Sequence, residues 1–149
     1  MANPELSKPE ALAKAQAYCA RAEHCAADVR RKLYEWQVNP LFFDFIEQQL
    51  YEADYLNDTR YCRAYVHDKV AYQRWGRMKI QAGLRALQLP EKAIREALEN
   101  IDETQYTANL QYLLRQEAKG RSEEQLLRFL LQRGFTFDEI KNANKKATK

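Results

Sequence analysis

His24, Cys25, Cys62 and His67 are the side chains of this 149-residue chain with the best chemical case for holding a metal. Thiolate sulfur and imidazole nitrogen are ordinary zinc ligands. The spacing works against it: Cys62 and His67 stand five apart, off one helical face, and no ligand pair has zinc-finger spacing. The three cysteines, Cys19, Cys25 and Cys62, are odd in number and form no CxxC pair. That pattern reads as small buried side chains in a reducing compartment, with no disulfide framework. The sequence contains no nucleophile elbow, no HExxH string and no GxGxxG or GxxxxGK[ST] loop. No catalytic residue, metal or cofactor is expected, and the chain reads as a non-enzyme.

Anion recognition has more to build on. Basic residues cluster near two helix starts: Arg74, Arg77 and Lys79 in the middle of the chain, then Arg115, Lys119, Arg121 and Arg128. A helix amino terminus with adjacent arginine suits a phosphate or carboxylate. The alternative is ordinary solvated helix charge. Tyr61, Tyr65, Tyr72 and Trp75 fall on one face of a single predicted helix, beside Arg60, Arg63 and Arg74. Such a stripe either stacks on nucleic-acid bases or packs between helices. Arg30-Arg31-Lys32 is flanked by Asp28 and Glu35 and reads as a solvated outer face. The stretch from Lys141 to Lys149 is expected to fray and to add weak nonspecific attraction to DNA.

The elements that must carry these side chains are helical. Four glycines and four prolines leave little turn chemistry for a sheet of many strands. No apolar run reaches the roughly 18 to 20 residues of a membrane helix, and MANPELSKPEALAKA does not read as a signal peptide. Net charge is +3, unevenly spread: residues 1–57 carry six basic and nine acidic side chains, and the remainder is basic. A split of this kind presents opposite potentials to different parts of a partner.

One pattern occurs three times: an amphipathic helix, a short break, then a second helix. The first copy has Val29, Leu33 and Trp36, a break at Asn39-Pro40, then Phe43, Ile46 and Leu50. The second has Ile80, Leu84 and Leu87, a break at Leu89-Pro90, then Ile94, Ala97 and Ile101. The third has Leu126 and Leu130, a break at Gly134, then Ile140 and Ala143. The offsets are 51 and then 46 residues. A further helix precedes each pair. The first carries Leu12, Ala15, Cys19 and Ala22 on one stripe and is capped by Ser7, with Pro9 and Glu10 in its first turn. The second starts at Asn57-Asp58 and runs to about Arg74. The third starts near Asp102 or Thr104 and ends before Gly120, after which Ser122 to Gln125 reads as a capping box. The expected fold is all-α: three tandem three-helix, helix-turn-helix-like repeats over 9–52, 57–101 and 102–144, in an elongated, curved array. Gly83, inside a predicted helix, is either a chance surface glycine or a point of close helix–helix approach.

The string from Tyr55 to Tyr65, YLNDTRYCRAY, and that from Trp75 to Leu98, WGRMKIQAGLRALQLPEKAIREAL, resemble the RecX family of recombinase regulators. The likeness rests on Asn57-Asp58, Gly76, Lys79-Ile80, Leu84 and Ala97-Leu98, and in the first repeat on Arg21, His24 and Asp28-Val29 through Leu33. It spans about residues 11–142, with two departures: Cys25 stands where the family commonly has Ser, and Val38-Asn39 where it commonly has Gly before an apolar residue. The resemblance implies a small cytoplasmic protein, expected to be a monomer, that binds the RecA recombinase filament. The family lies in the filament groove and lowers ATP hydrolysis, strand exchange and co-protease activity, in DNA repair and recombination. The rival expectation is a stand-alone helical module that binds single- or double-stranded DNA without sequence preference. Sequence-specific reading is not expected, because no base-reading array accompanies the modest net charge.

Overall fold

The computed structural model describes residues 5–147, and among these the chain holds nine α-helices and no strand. They are α1 (Lys8–Arg21), α2 (Ala26–Glu35), α3 (Phe43–Glu52), α4 (Asp58–Asp68), α5 (Arg77–Ala86), α6 (Glu91–Glu99), α7 (Glu103–Glu117), α8 (Glu123–Gln132) and α9 (Phe137–Ala147). Local chemistry sets most of the starts. The Ser7 hydroxyl accepts the Glu10 N–H at 3.2 Å, and the Glu10 carboxylate accepts the Ser7 N–H at 3.1 Å. Those bonds to its charged form hold the Glu10 carboxyl below its ordinary range. Asn57, Asp102 and Ser122 cap α4, α7 and α8 in the same way. At α2 the Cys25 side chain is buried, and Asp28 accepts the Cys25 N–H at 3.3 Å.

The three-fold repetition is written into the backbone. Gln37, Gln88 and Gly134 all have positive φ, of 59°, 62° and 106°, and stand 51 and then 46 residues apart. After each comes a buried apolar residue whose N–H reaches back into the helix: Val38 to Leu33, Leu89 to Leu84, Phe135 to Leu130. This left-handed stop recurs at the end of α2, α5 and α8 and turns the chain into the third helix of each repeat.

Several expectations need correction. The buried stripe of α1 is Ala11, Ala15 and Cys19, while Leu12 is half-buried and Ala22 exposed. The helix stops at Arg21, and Ala22 is extended, with φ −163°. Arg30 does more than solvate an outer face: its guanidinium bonds Glu47 twice, at 3.1 Å, and Asp44 at 2.8 Å, tying α2 to α3. The carboxy-terminal stretch expected to fray is helical through Ala147, with Ala143 buried, and residues 148–149 lie outside the described residues. Beyond α4 the chain continues as a π-helical turn over Lys69–Gln73 and stops at Arg74, φ 53°. The wider turn changes the register, so Tyr72 leaves the predicted aromatic face and is 72% exposed.

The apolar core has two parts. Val29, Leu33, Ile46, Leu50 and Leu56 anchor the first, built from α1 to α3. The second is continuous from α4 to α9 and includes Cys62, Ile80, Leu84, Leu110, Leu130 and Phe135. The accessible surface is 9743 Å², against about 7,900 Å² expected of a compact monomer of 17.6 kDa. The excess of roughly a fifth is that of an elongated molecule.

Candidate partner-binding surface

The joint between the second and third repeats decides what the middle basic residues do. Gly76 caps α5 and lies against the backbone of Gly134 and Phe135, so closely that a Cβ on Gly76 would collide with main-chain atoms. The Gly76 N–H donates to the Arg133 carbonyl at 2.9 Å, and the Met78 N–H donates to the Gly134 carbonyl at 3.0 Å. The Arg77 N–H donates to the Tyr106 hydroxyl at 3.0 Å. Three N–H groups at the amino end of α5, those of Gly76, Arg77 and Met78, are therefore taken by the chain itself and are not open to an external anion. Arg133 closes the other side, donating to the Gln73 carbonyl at 2.5 Å and the Arg74 carbonyl at 3.4 Å. Asn109, buried, donates to the Val70 carbonyl of the π-turn at 2.7 Å.

Arg77 belongs to this joint. Its guanidinium pairs with Glu103 and with Glu139 (3.3 Å) and lies over the Tyr106 ring at 4.2 Å. Arg121 is partly neutralised by Glu117 at 2.6 Å and stacks on Phe129 at 4.6 Å. The others keep their charge. Arg74 stacks on Tyr112 at 4.2 Å, and Lys79 sits over Trp75 at 4.3 Å. Lys119 reaches Gln116 at 3.4 Å, and Arg115 and Arg128 are exposed; none of these five has a carboxylate partner among the described residues.

Two cations not singled out by sequence complete the surface. Lys69 lies between Tyr65 (5.1 Å) and Trp75 (4.5 Å), and Arg133 flanks Phe129 at 5.8 Å. Lys69 stands four residues after Tyr65, a spacing that could have revealed it; nothing local marks Arg133. The result is a band of cations stacked on rings along the joint. Tyr61 and Tyr65 pair at 6.1 Å and are half-buried, so that half of the predicted stripe is internal packing. The three thiols are buried, and burial pushes those of Cys19 and Cys62 up to about 11. They are held as thiols, the unreactive form.

These features define a tandem three-helix repeat protein with a cationic, aromatic-backed flank. The family model described as RecX, second three-helix domain, matches residues 57–98. The regulatory protein RecX of Leptothrix cholodnii is 26% identical over 141 residues, covering 91% of this chain and 88% of that protein. The crystal structure of RecX from Lactobacillus salivarius superposes with a TM-score of 0.79 at 18% identity, covering 93% of this chain and 95% of that one. A second crystal structure of a regulatory protein RecX gives 0.74 at 21% identity, covering 95% and 81%. The second repeat thus matches the second three-helix domain of RecX, and over most of its length the chain is similar to regulatory proteins RecX and shares their fold.

Proposed function

We propose that this protein binds the RecA recombinase filament and lowers its ATP hydrolysis, strand exchange and co-protease activity, with no catalysis of its own. The observation that carries the reading is the band of unneutralised cations, Lys69, Arg74 and Lys79, on an elongated repeat framework similar to that of regulatory proteins RecX. Arg115, Lys119, Arg121 and Arg128 extend the contact along the third repeat, and Arg77 holds the two repeats in the orientation that presents them. The units 9–52, 57–101 and 102–144 act as successive contact modules of one monomer working in the cytoplasm. Among the described residues no helix is long and apolar enough to cross a membrane.

The test is titration into recombinase already assembled on single-stranded DNA, following ATP turnover. The parent chain lowers turnover; Lys79→Glu/Arg115→Glu/Arg128→Glu inhibits less at unchanged helical content, because electrostatic complementarity is reversed. Equal inhibition by the folded triple variant removes this surface from the interface. The same cation–ring band also suits stacked bases, which keeps nonspecific DNA binding as the rival reading. Salt-dependent binding to naked DNA with no effect on ATP turnover would decide for that rival.

A further inference from the structure

The repeat register sets the two joints side by side. Gly76 and Gly134, which meet backbone to backbone between the second and third repeats, stand 51 and 46 residues after Cys25 and Gln88. At the joint of the first and second repeats those positions therefore carry side chains, and the same close approach is barred. Among the described residues no backbone–backbone hydrogen bond crosses between the first repeat and the second. The apolar core divides near the same place, with only Cys25 and Ala27 of the first repeat packed into the second cluster.

Charge and polar side chains take over there. Arg60, at the start of α4, reaches Glu23 at 2.5 Å and Asp54 at 3.0 Å, and donates to the Asp54 carbonyl at 3.0 Å. Tyr51 donates to Asp58 at 2.7 Å, and Asn57 to Asp54 at 3.2 Å. The apolar contribution across the joint is small: Cys25, which joins the second core, and Ala27, packed against it. The hinge itself is short, since Leu56 is buried with the first repeat and α4 begins at Asp58.

We propose that residues 57–147 form one rigid body and that the first repeat is an arm pivoting at Asn57, held closed by an ion latch centred on Arg60. The welded joint rests on the close contact of two buried glycines, with the Arg77 ion pairs beside it; the latch is half-exposed and depends on charge. Glu23 and Asp54 lie on the acidic segment and Arg60 on the basic remainder, so added salt weakens the closure. At about 1 M salt the screening length falls to about 3 Å, and the arm opens with its helices intact.

The test is the distance between spin labels in the full chain, whose native thiols are at most 9% exposed. Leu41→Cys with Phe137→Cys spans the latch, and Ala86→Cys with Phe137→Cys lies within the rigid body; all three sites are exposed. In Arg60→Gln, and in the parent chain at high salt, the first distribution broadens, the second keeps its width, and circular dichroism is unchanged. If both pairs keep their width, or both broaden together, the arm and latch are wrong. Should Arg60→Gln lose helical content, the salt series on the parent chain decides alone.

Discussion

Replacing Gly76 by alanine isolates the energy of the welded joint. At Gly76 φ is −81°, a conformation alanine adopts freely, so the substitution carries no backbone strain. The added methyl has nowhere to go. It meets the Gly134 carbonyl group and the Phe135 nitrogen, main-chain atoms that cannot swing aside. Overpacking of this kind costs about 1–3 kcal/mol. Forcing the two backbones apart also stretches the bonds from Gly76 to Arg133 and from Met78 to Gly134, each worth about 0.5–1.5 kcal/mol. The sum is about 2–6 kcal/mol, a large share of the roughly 5–15 kcal/mol that holds a domain folded.

The natural control is Gly120→Ala. Gly120 has φ +77° and no atom within 4 Å of an added Cβ, so it incurs only left-handed strain, about 1–2 kcal/mol. Urea unfolding followed by circular dichroism, and by the fluorescence of Trp75 beside the joint in a Trp36→Phe background, compares the two variants. A Gly76→Ala cost below that of Gly120→Ala would refute the reasoning, because steric contact would then matter less than backbone strain.

Two further outcomes follow. Gly83 faces the Tyr65 hydroxyl, which an added Cβ would strike, while the ring carbon behind it stays 3.2 Å away. Gly83→Ala is therefore destabilising despite a helix-propensity gain of about 1 kcal/mol, and becomes neutral or stabilising with Tyr65→Phe. Urea midpoints for the double-mutant cycle would check this; additive effects would mean no contact. The thiols of Cys19 and Cys62 are pushed up to about 11 in the folded chain from an ordinary 9.0. Between those values the thiols of the unfolded chain release protons that the folded thiols keep, so their stabilisation is whole below pH 9 and is lost as pH rises to about 11. The fall in urea midpoint from pH 8 to pH 10.5 shrinks in Cys19→Ala/Cys62→Ala; an unchanged fall would place the titration elsewhere.

What could be read from sequence was the local and periodic part. Ser7, Asn57 and Ser122 were legible as caps because a cap is settled within three residues, whereas the start of α7 stayed open between Asp102 and Thr104 until the structure made Asp102 the cap. Ile80, Leu84, Ile94 and Ala97 were legible as core because helical periodicity fixes their face. The left-handed stops at Gln37 and Gln88 were not, since glutamine has no preference for that region and the buried Val38 and Leu89 impose it. Arg77 looked like an anion site because its partners, Glu103 and Glu139, lie 26 and 62 residues away. The π-turn was hidden for a similar reason: the Asn109 amide that satisfies Val70 comes from 39 residues further along.

The way the remaining cations are held bears on how they could bind. A carboxylate partner would order Lys69, Arg74 or Lys79 but cancel its charge, as Glu103 and Glu139 do for Arg77. An aromatic face orders the side chain for about 0.5–1 kcal/mol and leaves the full charge outward. Immobilising a long side chain on binding otherwise costs about 0.5–1.5 kcal/mol each. Stacking on Trp75 and Tyr112 meets part of that cost beforehand, so an acidic partner finds cations that are both positioned and unspent. Because Trp75 precedes Gly76, the weld that fixes the two repeats also fixes this band, and loosening the joint should weaken binding without removing a single charge.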